Sequence, residues 1–97
     1  MEIIHLGSEK DFKELTKGTI LVDFFATWCG PCKMLANVLE DLESDIKVLK
    51  VDTDEFENLA REYKIMSIPT LILFKDGKEV KKNIGFLDEE RLEEFLK

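Results

Sequence analysis

The only two cysteines of the chain lie two residues apart, in the stretch Trp28-Cys29-Gly30-Pro31-Cys32. An apolar run precedes this stretch and apolar residues at helical spacing follow it, so we expect the pair where a strand gives way to a helix. A helix N-terminus has partial positive charge and unpaired N–H groups, which favour a thiolate over a thiol. We therefore predict a dithiol–disulfide exchange centre. Cys29 would attack a disulfide, and Cys32, one turn into the helix and more buried, would resolve the intermediate.

Two other interpretations of the cysteine pair compete with redox chemistry. A structural disulfide between residues so close together closes only a small loop, so it adds little stability through chain entropy. A zinc site needs about four ligands, and the single histidine, His5, lies on a different predicted strand. Redox chemistry is the preferred interpretation. It implies a reversible disulfide between Cys29 and Cys32, with no bound metal or cofactor.

The bulk properties of the chain limit its partners and its location. A length of 97 residues predicts one domain over residues 1–97 with one core. The formal charge of -7 disfavours nucleic acids and anionic membranes, so we expect other proteins as partners. We also expect a monomer. The segment 1–7 does not have the pattern of a signal peptide, and no apolar run approaches a transmembrane length. We therefore expect a cytoplasmic protein, in a compartment where cysteine pairs are seldom structural.

Apolar patterning predicts the elements that must position the cysteines. The run from Ile20 to Ala26, interrupted only by Asp23, is typical of a strand covered on both faces. The other predicted elements are a strand at 2–6, a helix capped by Ser8, the helix after the cysteines, a strand at 47–52, a helix capped by Asp54, a hairpin of strands at 70–74 and 79–84, and a last helix capped by Asp88. The order β-α-β-α-β-α-β-β-α predicts an α/β fold whose mixed central β-sheet has helices on both faces.

This element order, together with the five-residue cysteine motif, resembles the thioredoxin family over essentially the whole chain. A lone C-x-x-C is a weak signal, but here the motif occurs with a downstream Ile-Pro-Thr at the family spacing. Positions similar to the family are Val22-Asp23-Phe24, Lys33-Met34, Val51-Asp52, Ile68-Pro69-Thr70 and Gly85. The resemblance implies a thioredoxin fold and a reductase of protein disulfides that a thioredoxin reductase recharges. It also implies that Gly30 and Pro31 tune the reduction potential towards that of the reducing members.

Asp23 is the one charged residue within the apolar strand that leads to the cysteines. A buried carboxylate is costly, so its pKa should rise, whereas an aspartate at a strand edge would face solvent. The resemblance implies that Asp23 exchanges a proton with Cys32 through water. It also implies that Lys50, in the neighbouring strand, pairs with Asp23. The alternative for Lys50 is an ordinary lysine whose charged end lies in solvent.

The resemblance also implies a substrate-docking face beside the cysteines. The peptide bond before Pro69 would be cis and would face the disulfide, leaving the backbone of Ile68 free to pair with an extended substrate. A plain proline that begins a strand is the alternative. Trp28, Ile68 and Gly85 would then form an apolar rim around an exposed Cys29 sulfur, against which disulfide-containing proteins dock.

Two positions depart from the usual thioredoxin pattern. Phe25 stands where a second tryptophan is usual, and Asn37 replaces a proline inside the active-site helix, so that helix need not kink there. Two alternative functions are a glutaredoxin-like protein recharged by glutathione and a thioredoxin-fold binding subunit whose dithiol is incidental. Glutaredoxins usually carry a tyrosine and a different dipeptide in the motif, which favours the thioredoxin-like function.

Overall fold

A five-stranded β-sheet forms the centre of the computed structural model, which describes all of residues 1–97. Its strands are β1 (Ile3–His5), β2 (Thr19–Phe25), β3 (Lys47–Asp52), β4 (Thr70–Lys75) and β5 (Lys78–Ile84). In space they follow the order β1-β3-β2-β4-β5. The first three strands are parallel, β4 runs antiparallel to β2, and β5 runs antiparallel to β4. The predicted mixed sheet is thus confirmed, and β2, which leads to the cysteines, is its central strand.

Four α-helices connect and cover these strands. They are α1 (Phe12–Leu15), which follows a 3₁₀ turn at Glu9–Asp11, α2 (Gly30–Asp41), α3 (Glu57–Glu62) and α4 (Glu89–Phe95). The longest, α2, begins at the cysteine motif and runs without a break past Asn37. None of these helices combines the length and the apolar character that crossing a bilayer requires.

Two apolar clusters fill the space between the sheet and the helices. One cluster joins the central strands to α1 and α3, and the other joins them to α2 and α4. Their buried helical members are Phe12 and Leu59 on the first face, and Leu35, Leu39 and Leu92 on the second. The predicted placement of helices on both faces is therefore confirmed.

The alternation of side chains along β2 decides which residues meet α2. Because successive side chains of a strand point to opposite faces, Leu21, Asp23 and Phe25 share one face, while Val22 and Phe24 occupy the other. Leu21 packs in the α2 and α4 cluster, whereas Val22 and Phe24 pack in the α1 and α3 cluster. Asp23, with 0 % exposure, is consequently enclosed on the side of the sheet that α2 covers.

Among the predicted helix caps, that of Asp88 is present and that of Ser8 is not. The Asp88 carboxylate accepts a hydrogen bond from the backbone N–H of Arg91 at 2.9 Å and so caps α4. The Ser8 side chain makes no capping hydrogen bond. Instead the Ser8 carbonyl accepts from the backbone N–H of Asp11 at 3.0 Å, which closes the 3₁₀ turn before α1. The sequence pattern at Ser8 therefore predicted correctly where the helical segment begins, but the contact there is made by the Ser8 backbone and not by its side chain.

The predicted cap of α3 by Asp54 is wrong. The helix begins at Glu57, and its N-cap position is Phe56, which offers no side-chain acceptor. The Asp52 carboxylate accepts hydrogen bonds from the backbone N–H groups of Asp54 and Glu55, at 2.9 and 3.4 Å. This side-chain turn delays the start of the helix and leaves the carboxylate of Asp54 free for another partner.

Candidate redox site

The cysteine pair lies at the N-terminus of α2, directly beyond the end of β2. Cys29 is the N-cap residue, and Gly30 and Pro31 begin the helix. The N–H groups of the first helical turn have no partner within the helix, so the missing N–H of proline costs no hydrogen bond there. The predicted Cys29–Cys32 disulfide is confirmed, with the two Cα atoms 5.2 Å apart. The backbone N–H of Cys32 donates a hydrogen bond to Cys29 Sγ at 3.2 Å. After reduction, this donor and the positive end of the helix both favour a thiolate on Cys29.

Both cysteines are largely buried in the disulfide form. Cys29 is 5 % exposed and Cys32 is 2 % exposed, and they pack with Ala26, Phe25 and Ile68. The carbonyl oxygen of Ile68 lies 3.9 Å from Cys29 Sγ and covers one side of it. The prediction of an exposed Cys29 sulfur is therefore wrong for the oxidised protein. The packing holds the disulfide close to the loop before β4.

Asp23 and Lys50 form an ion pair below the disulfide. The register of β2 and β3 places the two residues directly opposite each other, with Lys50 Nζ 3.7 Å from Asp23 Oδ2. This distance is too long for a hydrogen bond, and neither carboxylate oxygen of Asp23 has another partner. Burial raises the pKa of Asp23 to about 6, while the Lys50 ammonium opposes a larger rise. The alternative of a strand-edge aspartate that faces solvent is wrong, because Asp23 is enclosed. The alternative of a lysine whose charged end lies in solvent is also wrong, because the Lys50 side chain is only 10 % exposed.

A cavity of about 100 Å³ is lined by both Cys32 and Lys50, the lysine of this ion pair, although Asp23 itself does not line it. Its volume exceeds the roughly 30 Å³ that one water molecule occupies in the liquid. Phe25 lines the same cavity, and its ring centroid lies 4.4 Å from Lys50 Nζ. Water in this cavity would connect the second cysteine to the charged end of Lys50.

The loop before β4 and the segment after β5 flank the other side of the disulfide. The Ile68–Pro69 peptide bond is cis, and Pro69 is buried. The Pro69 carbonyl accepts a hydrogen bond from the backbone N–H of Gly85 at 2.8 Å, which joins the two segments. Gly85 has φ +101°, a conformation that favours glycine, although a Cβ there would meet no atom within 4 Å. The backbone N–H of Ile68 has no hydrogen-bond partner within the chain.

Trp28, the first residue of the motif, is a large apolar side chain with 69 % exposure. Its indole Nε1 donates a hydrogen bond to Asp54 Oδ2 at 2.9 Å, which is the partner that the Asp54 carboxylate finds in place of a helix cap. Trp28 lines a groove of about 220 Å³ together with Met66, which is 90 % exposed, and Ile68. The sequence analysis missed both Asp54 and Met66 as parts of this surface. Both lie in loops, where apolar spacing gives no information on exposure.

Known proteins with this arrangement were found by comparison of both sequence and structure. A family model for thioredoxin matches residues 3–97. The chain is 51 % identical over 94 residues to a thioredoxin of Staphylococcus aureus, in an alignment that covers 92 % of this chain and 90 % of that protein.

Solved structures give the same family. A mutant thioredoxin from Halobacterium salinarum superposes with a TM-score of 0.91 at 37 % identity, covering 98 % of this chain and 88 % of that chain. The reduced thioredoxin pre-protein of Schistosoma mansoni gives a TM-score of 0.89 at 36 % identity, covering 99 % and 96 %. These matches span nearly the whole chain and include the helix that begins at the redox-active cysteine pair. The chain therefore belongs to the thioredoxin family and has thioredoxin function.

Proposed function

We propose that the protein reduces disulfides in other proteins, with Cys29 as the attacking thiolate and Cys32 as the resolving thiol. The observation that carries this assignment is the position of Cys29 Sγ at the N-terminus of α2, where it accepts the Cys32 N–H at 3.2 Å. This environment favours a thiolate on Cys29 rather than on Cys32, whose side chain lies one turn into the helix.

The reaction transfers two electrons to the substrate in two exchanges. The Cys29 thiolate attacks one sulfur of the substrate disulfide, forms a mixed disulfide and releases the other substrate sulfur as a thiolate. Cys32 then loses its proton and attacks Cys29 Sγ. This second exchange forms the Cys29–Cys32 disulfide and releases the remaining substrate thiolate, so the substrate is reduced and the protein is oxidised.

We assign the proton of Cys32 to Asp23, through water, with Lys50 adjusting the affinity of Asp23 for that proton. A carboxyl whose pKa is raised by burial to about 6 changes its protonation near neutral pH, as a proton acceptor at this pH must. The cavity of about 100 Å³ that Cys32 and Lys50 both line supports a water-mediated route. Because neither Asp23 oxygen has a hydrogen-bond partner, the proton route requires water to reach from this cavity past Lys50 to the carboxylate.

Substrates would dock on the face formed by Trp28, Ile68, Pro69 and Gly85. The free backbone N–H of Ile68 and its carbonyl beside Cys29 Sγ offer one donor and one acceptor to an extended segment, as in strand addition. Gly30 and Pro31 would set the reduction potential through the turn that holds the two sulfurs together. The rim contacts are apolar and backbone-mediated, which suits many different protein disulfides rather than one sequence.

We also propose which partners and which compartment the protein has. A thioredoxin reductase would return the disulfide to the dithiol, and disulfide-containing proteins would be the substrates. The charge of -7 supports protein partners rather than nucleic acid or anionic membrane. We place the protein in the cytoplasm as a monomer with one domain over residues 1–97, because a reducing compartment keeps such a dithiol in its working form.

The experiment follows turnover and trapping in two single variants. Cys29→Ser should abolish reduction of a disulfide-bonded test protein such as insulin. Cys32→Ser should still attack and should accumulate mixed disulfides, visible as higher-mass bands on a non-reducing gel. The double variant, in which both cysteines are serine, is the matched control and should trap nothing. Equal trapping by the two single variants would contradict the assigned roles.

Two further assays separate the two alternative functions. Fast recharging by a thioredoxin reductase beside slow recharging by glutathione is the expected result, and the reverse would indicate a glutaredoxin-like protein. A binding subunit would keep its full biological activity in the double variant, whereas the proposed reductase would lose it.

A further inference from the structure

A single ammonium group lies between a carboxylate and an aromatic ring below the disulfide. Lys50 Nζ is 3.7 Å from Asp23 Oδ2 and 4.4 Å from the centroid of the Phe25 ring. Asp23 and Phe25 are two residues apart on β2, so both side chains project to the same face of the sheet as the amine. The ammonium lies over the face of the Phe25 ring, which carries the negative part of the aromatic quadrupole.

We propose that Phe25 is a positioning residue of the redox site, which holds the Lys50 ammonium against the Asp23 carboxylate. The proton-transfer consequence of this contact rests on the function proposed above for Asp23, whereas the contact itself does not.

The surroundings of Lys50 explain why it needs to be held. Its nearest neighbour on β1 is His5, directly opposite in register, and His5 and Glu40 line a second cavity of about 70 Å³ beside Lys50. On α2, Lys33 lines the larger cavity. On β4, the residue opposite Asp23 is the uncharged Leu71. Glu40 is thus an acidic residue that lines the same cavity as Lys50, and the Phe25 ring favours the position of the ammonium beside Asp23.

The charge of Asp23 is sensitive to where that ammonium lies. Neither Asp23 oxygen has a hydrogen-bond partner, so Lys50 is the group that stabilises the charged carboxylate. Coulombic attraction falls with distance, and a leucine side chain has no quadrupole to retain a cation. In Phe25→Leu the ammonium is free to turn towards water or Glu40, and Asp23 should hold its proton to higher pH.

A purely structural role for Phe25 predicts the opposite shift. If the ring only kept water from Asp23, a smaller side chain would admit water to the carboxylate and favour its charged form. Asp23 would then release its proton at lower pH. The sign of the shift therefore distinguishes positioning of the ammonium from shielding of the carboxylate.

The test is an NMR titration of the Asp23 carboxyl carbon in the oxidised protein, with the signal assigned by its loss in Asp23→Asn. Phe25→Leu should raise the titration midpoint by about 0.4–0.7 of a pH unit, the range that follows from loss of a cation–π contact. Phe25→Tyr, which keeps the aromatic face, should restore the midpoint. In the Lys50→Met background, Phe25→Leu should have no effect. Lys50→Gln replaces that background if the methionine variant does not fold.

Three results would overturn the proposal: an unchanged Asp23 midpoint in Phe25→Leu, a lower midpoint, or the same shift with and without the Lys50 ammonium. The rate at which Cys32 resolves a mixed disulfide is measured separately against pH. If the Asp23 midpoint moves as expected while this rate profile does not, the positioning role of Phe25 stands and the proton-transfer role of Asp23 fails. If neither the Asp23 midpoint nor the pH profile of the rate moves, the positioning role of Phe25 fails and the proton-transfer role of Asp23 is unaffected.

Discussion

Replacing Asp23 by asparagine should stabilise the protein at neutral and alkaline pH. The unfolded chain releases the Asp23 proton near the ordinary pKa of 3.8, whereas burial raises the pKa in the folded protein to about 6. Between these values the folded state binds more protons, so stability is greatest below the lower value and is lost as the pH rises through the upper one. The gap of about two pH units corresponds to about 3 kcal/mol. Asparagine has no charge to bury, and the remaining Lys50 ammonium can turn to the nearby solvent.

Urea denaturation of the oxidised protein at pH values from 4 to 8 measures this effect. The free energy of unfolding of Asp23→Asn should exceed that of the parent protein by about 3 kcal/mol at pH 8, and the two should converge near pH 4. Asp45→Asn is the matched control, because Asp45 is exposed and makes no hydrogen bond or ion pair. A difference between Asp23→Asn and the parent that does not change with pH would refute the reasoning, since it would locate the effect in packing rather than in the charge.

Two further substitutions test the docking face. Gly85→Ala forces a Cβ into a backbone with φ +101° and should cost about 1–3 kcal/mol in urea denaturation, whereas Gly7→Ala, in open space, should cost far less. Equal costs would show that the Gly85 conformation relaxes freely. Asp54→Ala removes the hydrogen-bond acceptor of the Trp28 indole and should lower the fluorescence anisotropy of this single tryptophan, while Glu55→Ala should not. Unchanged anisotropy in Asp54→Ala would mean that Trp28 is held by other contacts.

The cysteines and Asp23 were predictable because local patterns decide their positions. The apolar run of β2 and the helical spacing after it placed Cys29 at the strand-to-helix junction. The apolar neighbours of Asp23 on both sides predicted its burial, since a central strand has no solvent-facing side. In both cases residues close in sequence were sufficient for the prediction, and the order of the strands in the sheet agrees with it.

The pairing partners of the site depended on contacts between segments distant in sequence. Whether Lys50 faces Asp23 is fixed by the register of β2 against β3, and a slip of one residue would turn Lys50 to the other face. The Asp54 carboxylate has two possible uses, as the cap of α3 or as an acceptor for Trp28, which lies 26 positions away in sequence. The Asp52 side chain decides between them by forming the preceding turn. Met66 lies in a loop, where no periodicity separates exposed from buried residues.

The reduction potential of the Cys29–Cys32 pair tests the central claim of a protein disulfide reductase most directly. It is measured by equilibrating the protein against defined thiol–disulfide buffers and separating the dithiol and disulfide forms. A potential more negative than roughly -220 mV, at or below the cytosolic glutathione poise, is the predicted result. A potential near roughly -120 mV would instead indicate a protein that donates disulfides and would contradict the account.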